Sequence, residues 1–287
     1  MIDSILNGQN PDGGWPYRRG SSWTEPTALC LLALASQGRF DVPFRRGIDW
    51  LRSCRRSDGG WPPNPAVEAS TWVTALVAHA LILAGDRQHA GNAIHWLLEQ
   101  AGEESSWVHR LRRFLAGVRS DLDYSIDGWP WFPGSAAWVT PTALAVLALE
   151  RARQAGFERA GIDGRIQQGR RYLLSRVCGD GGWNHGASRA LGYESGSYPE
   201  TTGIALLALH GSPADSLQRS LHLAERQLAS CRSTEGQSWL QMALLAHGRQ
   251  PALVSFQYAP CRDFRDTALA VMASSALAGN FILLGKS

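Results

Sequence analysis

The chain has 287 residues, 44% hydrophobic and 18% charged, enough apolar material to bury a large core, which excludes disorder and a fibrous repeat. Its formal net charge is only +3, and 27 of the 28 basic residues are arginine, Lys286 being the exception; no basic run or stripe points to nucleic acid. Five cysteines at 30, 54, 178, 231 and 261 are odd in number and never spaced as a pair, which argues against a disulfide framework and a four-thiolate zinc site.

A membrane span is not expected, because the richest apolar stretch, from Ala268 to Leu284, is broken by Ser274, Ser275, Gly279 and Asn280. The opening Met-Ile-Asp-Ser enters a helix-like segment without the pattern of a secretory leader, so a cytoplasmic location is expected.

Tryptophan and glycine stand out, with 12 and 30 copies. Along the chain they fall into a repeat: Asp12-Gly-Gly-Trp15, Asp58-Gly-Gly-Trp61, the shortened Asp127-Gly-Trp129, and Asp180-Gly-Gly-Trp183. The four tryptophans are 46, 68 and 54 residues apart, which marks an array of similar units. In each turn the glycines supply positive φ angles and the tryptophan staples the junction between two helices.

Two kinds of helix alternate around these turns. One kind is amphipathic with a polar face: Arg45 to Arg55, Asn92 to Gln100, Ile166 to Val177 and Ser216 to Ser230. These read as an outer layer. The other kind is apolar all round and starts near Thr27, Thr74, Thr142, Thr202 and Thr267, each followed by Ala or Gly and then a run of Leu, Ile, Val and Ala. A sixth starts at Ser238 without the Thr. Helices apolar all round are buried, so these form an inner layer. No segment alternates with period two, and the chain reads as all-α. A single domain over 1–287 is expected: a toroid, or (α/α)6 barrel, of six inner and about six outer helices. The stretch 101–128 interrupts the repeat, and an extra helix near Val108 to Val118 with a loop is expected there as a lid over the rim.

These repeats resemble a known family. Arg46-Gly-Ile-Asp-Trp50-Leu51 with Gly60-Trp61, and Gly169-Arg-Arg-Tyr172-Leu173 with Gly182-Trp183, are similar to the tryptophan-containing repeat of squalene–hopene cyclases and protein prenyltransferase β-subunits. The resemblance implies an (α/α)6 barrel with an apolar central cavity, its chemistry at the mouth formed by the N-terminal ends of the inner helices. The same barrel also hosts transferases and non-catalytic domains.

Alignment on the shared Thr places Glu25, Trp72, Thr140, Glu200 and Arg265 two residues before it, and Asp266 immediately before Thr267. Glu25, Glu200 and Asp266 are the candidate catalytic acids; each also fits the ordinary role of a first-turn carboxylate facing a helix dipole. Six aromatics fall near the inner-helix starts: Trp23, Trp72, Trp138, Tyr198, Trp239 and Phe264. They are candidates to stack on an isoprenoid chain or stabilise a cation, with interhelical packing as the alternative.

The resemblance also shows departures. Class II terpene cyclases carry Asp-x-Asp-Asp-Thr-Ala, whose central Asp protonates the substrate; here the stretch is Asp263-Phe264-Arg265-Asp266-Thr267-Ala268, with Arg265 in the donor's place. Arginine is no acid near neutral pH. In the prenyltransferase comparison Glu235, Gln237 and Asp266 take the zinc-ligand positions, and Gly196 replaces a diphosphate-binding His, so protein farnesylation is not expected. Arg232 matches a diphosphate-contacting residue of that family, and Arg262 and Arg265 join it as candidate substrate-binding residues. Asp121 and Asp123, with Asp127, could hold Mg²⁺ or be a solvated loop, and His79 and His185 lack partners at metal-ligand spacing.

The reading is a terpene cyclase-like enzyme without metal or other cofactor, acting by acid-initiated cyclisation or isomerisation of a polyprenyl chain. Its partner is an isoprenoid or other apolar small molecule; peripheral membrane contact stays open, and no protein partner is indicated. The alternatives are a non-catalytic toroid binding lipid or peptide, and a prenyltransferase-like protein that has lost its zinc site.

Overall fold

A computed structural model describes residues 1–103, 126–186, 189–190, 193–251 and 261–285. Its helices in chain order are α1 (Ile2–Asn7), α2 (Thr24–Ser36), α3 (Val42–Ser53), α4 (Val73–Leu83), α5 (Arg87–Glu99), α6 (Val139–Gln154), α7 (Ile162–Ser175), α8 (Pro199–Ala208), α9 (Ala214–Ser230), α10 (Thr234–Ala246) and α11 (Phe264–Leu277). Two two-residue strands, β1 (Arg189–Ala190) and β2 (Tyr193–Glu194), pair antiparallel. They are too short to leave a period-two pattern, and the architecture is otherwise all-α as expected. The expected lid helix at 108–118 lies outside the described residues.

Six helices form a closed ring, α2 to α4 to α6 to α8 to α10 to α11 and back to α2. These are the six apolar helices of the sequence. Buried residues occupy nearly every position of α2, α4, α8 and α10, so no face of them is left for solvent. The amphipathic α3, α5, α7 and α9 pack outside, each against the inner helix beside it, and short α1 packs on α2 and α11.

The expected helix starts are corrected by one to five residues, because caps rather than apolar periodicity set them. Asp86 caps α5, its carboxylate accepting from His89 N at 3.2 Å, and Asp263 caps α11 by accepting from Asp266 N at 2.9 Å. Pro43 and Pro199 open α3 and α8, where a missing N–H costs nothing. The inner helices therefore begin before the shared Thr, which sits inside the first turn.

That Thr has a structural task. Thr27, Thr74, Thr142 and Thr202 each accept through Oγ1 from the backbone N–H of Trp15, Trp61, Trp129 or Trp183, at 2.8, 2.9, 2.9 and 3.1 Å. The indole N–H of each of these tryptophans donates to the carbonyl of Ile5, Leu51, Leu97 or Leu173, at 2.7, 2.6, 2.8 and 2.7 Å. All four rings are buried, so each indole is a staple between a turn, an outer element and an inner helix. The turn Asp closes the unit: Asp58 accepts from Gly60 N at 2.9 Å and from the indole of Trp96 at 3.1 Å, while Gly59 takes φ +89°. Thr74→Val is expected to cost about 1–3 kcal/mol in urea unfolding, because the buried Trp61 N–H loses its acceptor while shape is kept; a neutral result would sink the role given to the Thr.

Candidate active site

The second residue of five inner helices and the N-cap Trp72 of the sixth make one ring at the mouth: Glu25, Trp72, Thr140, Glu200, Glu235 and Arg265. Four residues later along each helix, about one turn deeper, comes a second ring of Leu29, Leu76, Leu144, Ile204, Trp239 and Leu269. Trp131 and His185 complete the wall of a cavity of about 260 Å³. Four residues deeper still, every inner helix carries alanine, namely Ala33, Ala80, Ala148, Ala208, Ala243 and Ala273. None is more than 2% exposed and none lines the cavity, whose floor is therefore the leucine ring. At one point the helices nearly touch, since a Cβ on Gly203 would lie 2.5 Å from the Trp239 backbone.

The mouth is a charge cluster around one guanidinium. Arg265 donates to Glu235 at 2.8 Å and lies 3.9 Å from Glu25 and 4.0 Å from Asp266. Glu25 also accepts a short hydrogen bond from the Tyr17 hydroxyl. Burial pushes the Glu25 carboxyl up, with Arg265 and the Tyr17 hydroxyl opposing. Burial pushes Glu235 up to about 7, Arg265 opposing and Glu25, Glu200 and Asp266 adding to the rise. Burial also raises Tyr17, which stays a neutral donor.

A second, polar cavity of about 200 Å³ adjoins the first and shares Glu235 and Arg265 with it. Arg18, Arg232 and Arg262 line it beside Ser233 and Asp266, at the N-termini of α10 and α11. These three arginines have no ion-pair partner among the described residues.

The structure thus brings together Glu25, Glu200, Arg265, Trp72 and Trp239 in the apolar cavity, and Arg232, Arg262, Arg265 and Asp266 in the polar one. Asp266 is raised by burial and by Asp263, but it faces the polar side, accepting from Arg262 N at 3.4 Å. Trp23, Trp138, Tyr198 and Phe264 are not among the lining residues, which corrects the expectation that they would be. Trp23, Trp138 and Tyr198 are N-caps with extended backbone, φ −125°, −133° and −115°, whereas Trp72 has helical φ −50° and lines the cavity; the Tyr198 ring stacks on the cavity-lining His185 at 5.2 Å between centroids. The Phe264 ring lies against Gly8, on the outside of α11.

Sequence reasoning missed Glu235, Trp131 and His185 as cavity residues. Glu235 was hidden by register: the position equivalent to the shared Thr is Gln237, one residue before the Ser238 used for alignment, and Trp239 accordingly sits a turn deep rather than at the rim. His79 is buried, pushed down to about 3 by burial and by Arg151, and bonds the Leu283 carbonyl at 3.1 Å; it holds the C-terminal segment. Asp121 and Asp123 lie outside the described residues. The zinc positions do not fit zinc: Glu235, Gln237 and Asp266 offer neither imidazole nor thiolate, and the Gln237 amide is committed to the Cys231 carbonyl at 2.7 Å.

No helix among the described residues is long and apolar enough to cross a membrane. No protein-family profile matches the chain. Over 237 residues it is 26% identical to a drimenyl diphosphate synthase of Streptomyces showdoensis, a match covering 79% of this chain and 39% of that protein. The chain thus spans about two fifths of the length of that curated relative. A type II terpene cyclase from Scytonema, solved with geranylgeranyl dihydroxybenzoate, superposes with TM-score 0.57 at 15% identity over 98% of this chain and 76% of that one. A novel alpha-amylase from Clostridium perfringens superposes with TM-score 0.65 at 13% identity over 96% of each chain. At such identities the structures share the fold alone. The resemblance to the prenyltransferase and squalene-cyclase repeat superfamily, read from the tryptophan repeats, is thereby matched in sequence by a drimenyl diphosphate synthase and in fold by a type II terpene cyclase.

Proposed function

We propose that this barrel is an isoprenoid cyclase that acts without a metal, protonating a polyprenyl chain held in the apolar cavity and closing or isomerising it. The observation that carries the reading is the stacking of a carboxylate-bearing ring, with Glu25, Glu200 and Glu235, directly over an apolar ring of leucines, Ile204 and Trp239. A hydrocarbon chain buries apolar surface against the leucines while its alkene meets an acid at the mouth, where Trp72, Trp131 and Trp239 offer π faces to a cation. The apolar lower ring gives that cation a surrounding that offers water no partners. Arg18, Arg232 and Arg262 would hold an anionic end such as a diphosphate, which arginine grips bidentately. The sequence match to a drimenyl diphosphate synthase supports this choice of substrate class.

One feature favours a second reading, a lipid-binding toroid without catalysis: Arg265 stands where a terpene cyclase has its acid. Incubation with farnesyl and geranylgeranyl diphosphates, followed by phosphatase and gas chromatography–mass spectrometry, separates the two. The cyclase reading expects cyclic alcohols isomeric with the linear ones, formed equally in the presence of EDTA. Bound substrate returned unchanged would establish the binding reading instead.

A further inference from the structure

We propose that Glu235 is the group that delivers the initiating proton in this cavity; the inference rests on the cyclase reading above. Arg265 is one cation among Glu25, Glu235, Asp263 and Asp266, all close enough to act on it. At Glu235 itself burial raises the proton affinity most, Arg265 is the cation that opposes it, and Glu25, Glu200 and Asp266 add to the rise, so this carboxyl holds a proton near neutrality.

The hydrogen bonds decide which one. Glu25 accepts from the Tyr17 hydroxyl, and Asp266 from the Arg262 backbone N–H, donors that stabilise the ionised form. Asp263 is tied to the α11 N-terminus as its cap. Glu235 receives only the shared Arg265, at 2.8 Å, among the described residues. Burial is the main cause of its rise, and Glu25 from α2, Glu200 from α8 and Asp266 from α11, all facing it with negative charge, add to it. Across the polar cavity Arg18, Arg232 and Arg262 oppose them from the exposed side, and His185 shares the apolar wall. The resulting acid, poised at about 7, suits proton donation at physiological pH.

Glu235 also stands at the junction of the two cavities, lining both. A substrate with its anionic end on the arginines and its chain on the leucines passes this carboxyl. In the step, the Glu235 O–H breaks and its proton bonds one alkene carbon. The π pair forms that C–H bond, the other alkene carbon becomes cationic, and the next double bond attacks it to close a ring. Loss of a proton from the carbon beside the final cation ends the sequence, and the carboxylate is reprotonated by that proton or by solvent. Arg265, left facing the Glu235 anion, stabilises it as the acid's conjugate base.

The test does not require a known substrate. In protein carrying ¹³C-carboxyl glutamate, one carboxyl resonance should titrate near pH 7 in the wild type and be absent from Glu235→Gln, while Glu25→Gln and Glu200→Gln retain a titrating carboxyl above the ordinary range. With a prenyl diphosphate that the wild type converts, Glu235→Gln should lower kcat by about 10²–10⁴-fold with KM little changed. Glu235→Asp should recover part of the loss, and the wild-type rate should fall as pH rises through about 7, since the acid must be protonated. A titration near pH 7 that survives in Glu235→Gln, or turnover that survives in it, overturns the proposal. If the wild type converts no prenyl diphosphate, the cyclase reading fails, whereas the titration still decides where the proton sits.

Discussion

Trp61→Ala is expected to destabilise the barrel by about 3–5 kcal/mol, the range for deleting a large buried aromatic. The ring is fully buried, and its loss opens a cavity at the junction of three elements. It also strands the Leu51 carbonyl, which accepts from the indole at 2.6 Å. Trp61→Phe, which loses the donor and only part of the buried ring, should cost less, about 1–3 kcal/mol. Trp138→Ala supplies the contrast, because that indole is 37% exposed and caps a helix without a side-chain bond; its cost should stay within about 0.5 kcal/mol. Urea unfolding followed by far-UV circular dichroism measures all three. Equal costs for Trp61→Ala and Trp138→Ala would remove the distinction between staple and rim tryptophans.

Arg265→Gln should destabilise the protein mainly at alkaline pH. Without the guanidinium, Glu25 and Glu235 lose the attraction that opposes burial, so both carboxyls rise further from the ordinary 4.5. A carboxyl raised in the folded state contributes stability that is complete below its unfolded value and is lost as pH rises through the folded one. The variant's deficit should therefore be small at pH 5, where Glu235, raised to about 7, is still protonated. By pH 8 it should reach about 1–3 kcal/mol, short of a fully buried pair because Arg265 is 30% exposed. Thermal melts at the two pH values give the comparison, and a deficit of the same size at both would mean that Arg265 acts through packing rather than charge.

Much of the fold was legible because the staples are local. Asp, Gly, Gly and Trp lie within four residues, and the Thr that accepts from the Trp backbone follows within 12 to 19. That recurring geometry preserves a recurring spacing. The site was legible only where the same spacing applied: two positions before the Thr, Glu25, Trp72, Thr140, Glu200 and Arg265 are all members of the mouth ring. The sixth member escaped because α10 has no such Thr. Its N-cap, Ser233, accepts from Gly236 N at 3.3 Å, and Gln237 stands at the Thr position.

The aromatics were misjudged for a different reason. Proximity in sequence to a helix start does not fix whether a residue lines the cavity: Trp72, a helical cap, lines it, whereas Trp23 and Trp138, extended caps, are not among its lining residues. That difference arises from the loop arriving at the helix and leaves no mark on the residue type.

By itself the sequence determined the layers, the turns and the order of helices, since apolar periodicity and positive-φ glycines act over one or two turns of chain. Tertiary structure decided the chemistry. Ring closure sets α11 beside α2, bringing Arg265 from one end of the chain to Glu25 and Tyr17 at the other, with Glu235 on α10 completing the cluster. A carboxyl's proton affinity follows from burial and from charges across such contacts, and neither exists until the ring has closed.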